Sequence, residues 1–286
     1  MEVLSDILRS MRVTGSVYFC DSLDSPWTME FADTDRASFH LVRRGECWIK
    51  SGDTHERLGP GDFVFVEPGR DHVLANEGSD TGANNQPMAT LLLCGYGTFE
   101  APQRHPLLKT LPSLTIIRDE ELLQHGWLKS TLDQLSTEYM TRQPGSEVVV
   151  DKLTEVLIVE LIRINFGRDE QRGFTRALLD AQISRALELM HTTPETPWTL
   201  EMLASRAAMS RAAFAKRFKE RVGQTMFAYL TALRMQRAQN LLRESNLPLY
   251  ELANRVGYQS DLAFSKAFKK SIGVTPTSYR RFRNNR

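Results

Sequence analysis

Up to about Tyr96 the chain alternates short apolar runs with clusters of turn-forming residues. FHLV from Phe39, CWIK from Cys47, FVFVE from Phe63 and TLLLCGYG from Thr90 are rich in β-branched and aromatic residues. Clusters such as LGPGD, EPGRD and NEGSDTGANNQP separate them. Short runs at this spacing predict a β-sandwich or small barrel. Leu4, Ile7, Leu8 and Met11 recur at helical spacing ahead of it, which predicts a short leading helix. After the Pro-rich APQRHPLLKTLP the period changes. Trp127 to Met140 and Glu147 to Phe166 read as helices. The second is apolar on more than one side, which places it under the barrel or in a dimer interface, with Val156 and Leu157 both inside. GRDEQRG (167–173) reads as a linker, and no strand pattern follows it. The expected division is therefore 1–100, 101–173 and 174–286.

The last part contains an internal repeat. A shift of 50 superimposes Ser210, Ala213, Phe214, Lys216, Phe218, Lys219, Gly223, Thr225 and Tyr229 on Ser260, Ala263, Phe264, Lys266, Phe268, Lys269, Gly273, Thr275 and Tyr279. A shift of 49 superimposes Leu200, Leu203, Ala204 and Arg206 on Leu249, Leu252, Ala253 and Arg255. Each copy is thus two short helices and a turn, a helix-turn-helix, and the one-residue difference falls in the turn. Gly257 suits a left-handed turn residue; Ala208 stands in its place in the first copy, at a cost of about 1 kcal/mol if the geometry is the same. Ser210 and Ser260 are placed to cap the second helix. The phenylalanines, four apart, share one face and pack inward. The opposite face carries Arg211, Ala212, Ala215, Lys216 and Lys219 in one copy and Asp261, Leu262, Ser265, Lys266 and Lys269 in the other. Between the copies, Met226 to Glu244 reads as one helix about 28 Å long at 1.5 Å per residue. That length suits two reading helices about 34 Å apart, one turn of B-DNA.

Charge sharpens this picture. The chain of 286 residues has a net charge of +1, but Asp180 to Arg286 holds 18 Lys and Arg against 8 Asp and Glu, a balance of +10. The remainder carries −9. A strongly basic half points to a polyanion as partner. With 41% apolar and 25% charged residues the composition is that of a globular chain, and the length allows two domains. The acidic first residues argue against a secretory signal. Asp151, Lys152, Glu155, Glu160 and Arg163 interrupt the longest apolar-rich stretch, so no membrane span is expected and a cytoplasmic location is. Cys20, Cys47 and Cys94 form no C-x-x-C pair, which excludes a zinc finger and a disulfide scaffold.

The segment LANRVGYQSDLAFSKAFKKSIGVTPTSYRRF closely resembles the C-terminal signature of the AraC/XylS family of bacterial transcription regulators. The likeness runs from about Ala181 to Phe282 and implies an all-α domain of two helix-turn-helix subdomains joined by a long helix. It implies base-reading positions at Arg211, Ala212, Ala215 and Lys216, and at Asp261, Leu262, Ser265 and Lys266. It also implies double-stranded promoter DNA and RNA polymerase as partners, and a regulator, in the main an activator, working as a homodimer. Ala212, Ala215 and Leu262 can offer only apolar contact, for example to a thymine methyl; Asp261 would need a cytosine amino group or a water.

The stretch from Phe39 to Asn76 resembles the cupin-like sensory domain found in part of the same family. Gly61, Gly69, His72 and Asn76 fit G-x5-P-x-G-x2-H-x3-N, with Glu67 in the place of the proline and Pro68 beside it. The fold class implied is α+β and multidomain: a cupin-like β-barrel (1–100), a helical connector and dimerisation region (101–173), and the DNA-binding domain (174–286). His40 and His72, with Glu67 or Cys94, are candidate ligands for a divalent metal; the alternative is a pair of polar residues near the barrel mouth that hold none. No other cofactor is called for. Cys20 and Cys94 are candidates for a redox switch, the alternative being two buried small apolar residues. The signal expected is thus an oxidant or a small ligand. The rival function is a DNA-tethered, metal-dependent cupin oxygenase. A DNA-repair alkyl transferase would need a Cys-rich zinc environment that the sequence lacks.

Overall fold

A computed structural model describes residues 2–32, 35–76, 89–99, 105–108, 111–168 and 173–283. Most of the expected linker GRDEQRG and most of the turn cluster NEGSDTGANNQP lie outside them. The chain divides into two compact units, one of Val13–Phe99 with Leu111–Gly167, the other of Met1–Arg12, Glu100–Thr110 and Arg168–Arg286. The leading helix α1 (Glu2–Met11) buries Val3, Ile7 and Met11 and belongs with the C-terminal residues, not with the barrel.

The first unit holds nine strands: β1 (Val13–Leu23), β2 (Trp27–Phe31), β3 (Arg36–Arg44), β4 (Cys47–Ser51), β5 (Thr54–Leu58), β6 (Phe63–Val66), β7 (His72–Asn76), β8 (Thr90–Phe99) and β9 (Leu114–Ile117). They form two antiparallel sheets, β1-β8-β3-β6-β9 and β2-β7-β4-β5. The four apolar runs became β3, β4, β6 and β8. The polar THERL of β5 completes an edge that apolar pattern alone would not reveal. Because side chains alternate along a strand, one face of β3, β6 and β8 supplies Val42, Val64, Val66, Leu92 and Cys94 to a core shared with Cys47, Ile49, Leu58 and Leu74 of the other sheet.

The other face of the five-stranded sheet is covered by helices. After α2 (Asp119–Leu122) come α3 (Gly126–Thr141) and α4 (Ser146–Arg168). A Cβ at Gly15 or Gly97 would collide with Thr154 or Ile158 of α4, so glycine lets that helix approach β1 and β8 closely. Leu157, Ile158, Leu161 and Ile162 are buried there. Val156 is not: it is 41% exposed in the single chain, so of the two residues only Leu157 lies under the barrel. Adjacent helix positions point about 100° apart, and only one of the two faces the sheet.

In the second unit α5 (Thr175–Leu179) and α6 (Ala181–Thr192) lead into α7 (Leu200–Arg206), α8 (Arg211–Val222), α9 (Met226–Glu244), α10 (Leu249–Arg255), α11 (Asp261–Ile272) and α12 (Pro276–Arg283). α1 packs on α6 and α9.

Candidate nucleic-acid interface

The two copies are built alike. α7 begins at Thr199, whose hydroxyl accepts from the Met202 amide at 3.2 Å. Its turn holds Ala208 at φ +52°, and that of α10 holds Gly257 at φ +81°. Ser210 accepts from the Ala213 amide at 3.3 Å and Ser260 from the Ala263 amide at 3.2 Å, so each second helix starts where the hydroxyl satisfies an amide the helix leaves open. Each ends at a left-handed glycine, Gly223 or Gly273. Phe214 and Phe218 lie with ring centroids 5.6 Å apart, as do Phe264 and Phe268, and all four are buried.

Burial along α8 and α11 matches position by position up to the last residue, where Val222 is buried and Ile272 half-buried. Arg211, Ala212, Lys216 and Lys219 are exposed, as are Ser260, Asp261, Leu262, Lys266 and Lys269, while Ala215 and Ser265 are half-buried. Each helix thus turns its phenylalanines inward and presents its candidate reading positions on one surface. Arg211 pairs with Glu201 at 2.9 Å, both largely exposed, and Lys216 lies 4.0 Å from Glu220. Such exposed pairs are worth little in water and yield readily to a phosphate.

Sequence reasoning missed the groups that hold the first copy in place. Asp180 caps α6 and accepts from Arg217 at 2.7 Å and Arg221 at 3.2 Å, both on α8. Burial opposes its ionisation, but these arginines and the Ile183 amide outweigh it and hold its carboxyl below the usual range. Behind α8, Tyr229 accepts or donates at 2.7 Å with His191 and at 3.4 Å with His105, and stacks on Phe174. Burial pushes His191 down to about 4, and burial with the neighbouring His191 pushes His105 down to about 3. No local pattern announces these contacts, because their partners lie 37 to 124 residues apart.

The candidate sensor residues fall inside the barrel unit. His40 and His72 are buried, with their Nε2 atoms 2.8 Å apart and Phe31 packed against both rings. Burial and the neighbouring His72 lower the pKa of His40, and burial lowers that of His72, so the pair is neutral and shares one proton across the contact. Among the described residues no cluster of three His, Cys, Asp or Glu suits a metal. Glu67 and Cys94 do not complete the site, and two ligands fall short of the three or more a mononuclear metal needs.

Cys20 stands opposite Leu93, and Cys94 opposite Phe19, on paired strands. Alternation puts the two cysteines on opposite faces of the sheet: Cys94 joins the interior core, Cys20 the helix-covered side. Burial raises the pKa of both thiols, and pushes Cys47 up to about 12. The expected Cys20–Cys94 approach is therefore close in backbone but wrong in side-chain direction for a bond in this arrangement.

A barrel unit with a buried core and a basic unit with two matched helix-turn-helices define a DNA-binding regulator with a β-sheet domain on the same chain. Residues 2–167 match the cupin family model and residues 203–281 the helix-turn-helix domain model. The HTH-type transcriptional regulator AlkR of Acinetobacter baylyi is 30% identical, over 98% of this chain and 99% of that one. The RCS-specific HTH-type transcriptional activator RclR of Escherichia coli is 28% identical over 98% and 97%. The DNA-binding domain of AdpA, solved in complex with a target DNA, is 31% identical over 36% of this chain and 94% of that one, with a TM-score of 0.35. The chain belongs to the AraC-type family of transcriptional regulators, with a cupin N-terminal domain. Among the described residues no helix is long and apolar enough to cross a membrane.

Proposed function

We propose that the protein is a promoter-bound activator whose α8 and α11 enter successive major grooves on one face of double-stranded DNA. The matched exposure of the two helices, in a stretch carrying +10, supports this reading above all. Base edges fall to Arg211, Ala212, Ala215 and Lys216 and to Asp261, Leu262, Ser265 and Lys266; phosphates fall to Lys219, Lys269 and the N-terminus of α11 at Ser260. The 19 residues of α9 span about 28 Å, the scale of one turn of duplex. RNA polymerase is the second partner, and the cytoplasm the site of action. A homodimer forms through the exposed Val148, Val149 and Val156 of α4. The protein acts as a regulator; the rival reading, a DNA-tethered oxygenase, would need a third ligand beside His40 and His72, and no described residue supplies one.

Full-length protein footprinted on its own chromosomal targets tests this. Two protected segments one helical turn apart are expected, with affinity falling by a log–log slope of about 0.9 per phosphate contacted as salt rises. A single protected segment, or a flat salt response, overturns it.

The signal we assign to the barrel unit is an oxidant or a small ligand. In the oxidant case β1 slips by one residue at its bulge between Val17 and Phe19, which carries Cys20 onto the face of Cys94. Mass spectrometry then finds a Cys20–Cys94 bond in oxidant-treated protein. If both stay reduced while the target promoter responds, a small ligand near His40 and His72 is the signal.

A further inference from the structure

One arginine of α9 touches both copies. Arg234 donates from Nε to the Pro194 carbonyl at 2.7 Å and from Nη2 to the Thr196 carbonyl at 2.8 Å. Those carbonyls lie in the loop that leads into α7, the first helix of the first copy. On its other side the same guanidinium stands over the Tyr258 ring, 5.8 Å from its centroid. Tyr258 and Gly257 form the turn of the second copy, and a Cβ on Gly257 would come within 2.7 Å of Arg234 Cζ and Nη2 and 2.8 Å of the Glu195 carbonyl. The second copy's turn therefore closes on the first copy's entry loop with this guanidinium between them. Arg237, one turn further along α9, lies 3.8 Å from Glu195 of the same loop.

A helix alone fixes how far apart two attached bodies lie along its axis, but their rotation about it depends on what else joins them. Here the planar fork binds two backbone oxygens of one body while its face meets an aromatic ring of the other. Lysine, a point charge on a flexible stem, cannot reproduce that. Neither α8 nor α11 contains Arg234, so it lies outside the candidate reading surface.

We propose that Arg234 is a positioning residue that sets the angular phase between α8 and α11, and with it the spacing between half-sites that the protein accepts. This rests on the reading that both helices engage DNA. One base pair inserted between half-sites shifts the second by about 3.4 Å and turns it by about a tenth of a helical turn, so a rigid pair of helices rejects the insertion and a loosened pair tolerates it.

The test uses full-length protein and a duplex that the wild type selects from a random pool, with variants carrying one or two inserted base pairs and a probe holding a single half-site. Wild-type protein should bind the selected spacing at least tenfold more tightly than the inserted ones; equal binding would defeat the two-helix reading itself, before Arg234 is addressed. Given that preference, Arg234→Ala and Arg234→Lys should each bind the selected duplex about tenfold more weakly, bind the inserted duplexes as well as the selected one, and keep single-half-site affinity within twofold. Tyr258→Leu, which removes the ring side of the contact, should flatten the spacing preference in the same way. If the arginine variants lose affinity equally on every probe, or keep the wild-type preference, the proposal fails. If they do not fold, Tyr258→Leu decides: an unchanged preference there also overturns it.

Discussion

The two helix-turn-helix copies share their interior and differ in how they are held and in what they present. Residues common to both under the repeat include the caps Ser210 and Ser260, the buried rings Phe214 and Phe264, Phe218 and Phe268, the pair Tyr229 (buried) and Tyr279 (half-buried), and the exposed lysines Lys216 and Lys266, Lys219 and Lys269. The first copy is braced from several sides, by Asp180 with Arg217 and Arg221 and by the His105–Tyr229–His191 contact. In the second, Tyr279 takes Gln239 at 3.1 Å and Arg243, both from α9, and Arg280 donates to the Leu247 carbonyl at 2.7 Å. The exposed first turns diverge: Arg211 and Ala212 in one, Asp261 and Leu262 in the other. One scaffold thus carries the same two exposed lysine positions in each copy and differs at the start of the helix, basic at Arg211 in one and acidic at Asp261 in the other.

The largest effect tests what they share. Phe218→Ala and Phe268→Ala each remove a fully buried ring and should cost about 3–5 kcal/mol, measured by chemical denaturation. A much smaller cost in one copy would show that its core is not as closed as its twin's.

Acid should separate the copies. Burial keeps His105 and His191 neutral in the folded state, while in the unfolded chain they take up a proton near pH 6.5. Below that pH the unfolded state binds more protons, so stability is full above about 6.5 and falls as pH drops. By pH 5 each contributes about 2 kcal/mol of destabilisation. The described residues of the second copy hold no histidine. His191→Gln, which retains a partner for Tyr229 and leaves His105 in place, should reduce the stability lost between pH 7 and 5 by about 2 kcal/mol in chemical denaturation; an unchanged loss would remove His191 from the account.

Gly257→Ala should cost about 2–4 kcal/mol, because the left-handed φ and the contact with Arg234 both oppose a Cβ. On the DNA side, Lys216→Ala and Lys266→Ala should each weaken binding by about 1–3 kcal/mol if they reach bases, with relaxed preference at one position. A uniform loss across sequences would reassign that lysine to phosphate.

Local chemistry made the repeat legible. Caps, paired phenylalanines and glycine stops act within one or two turns, so their spacing survives in the sequence, and the one-residue offset shows up as Gln259 in the turn of the second copy. Four strands were readable for the same reason. What stayed hidden is set by distant partners or by parity. Arg234 meets Pro194 and Tyr258, 40 residues before it and 24 after. The face taken by Cys20 depends on a single bulge in β1, and the sequence carries no count of bulges. The placement of α1 with the C-terminal helices depends on packing that no local pattern encodes.

The smallest effect concerns the turn residue that departs from its twin. Ala208 adopts φ +52° where the second copy has Gly257 at +81°, so the conformation expected from the repeat is kept and its strain is present. A left-handed alanine costs about 1–2 kcal/mol relative to glycine. Replacing it by glycine relieves that strain but gives the unfolded chain more freedom, worth about 0.4–1 kcal/mol in the opposite direction. Ala208→Gly should therefore raise stability by up to about 1 kcal/mol, a shift of a few degrees in Tm. The reading surface is untouched, since the turn precedes α8, so affinity for DNA should stay within twofold. A loss of stability would mean that the alanine methyl makes a packing contact worth more than the strain it imposes, and the first copy would then be held at its turn by packing, where the second is held by the absence of a side chain.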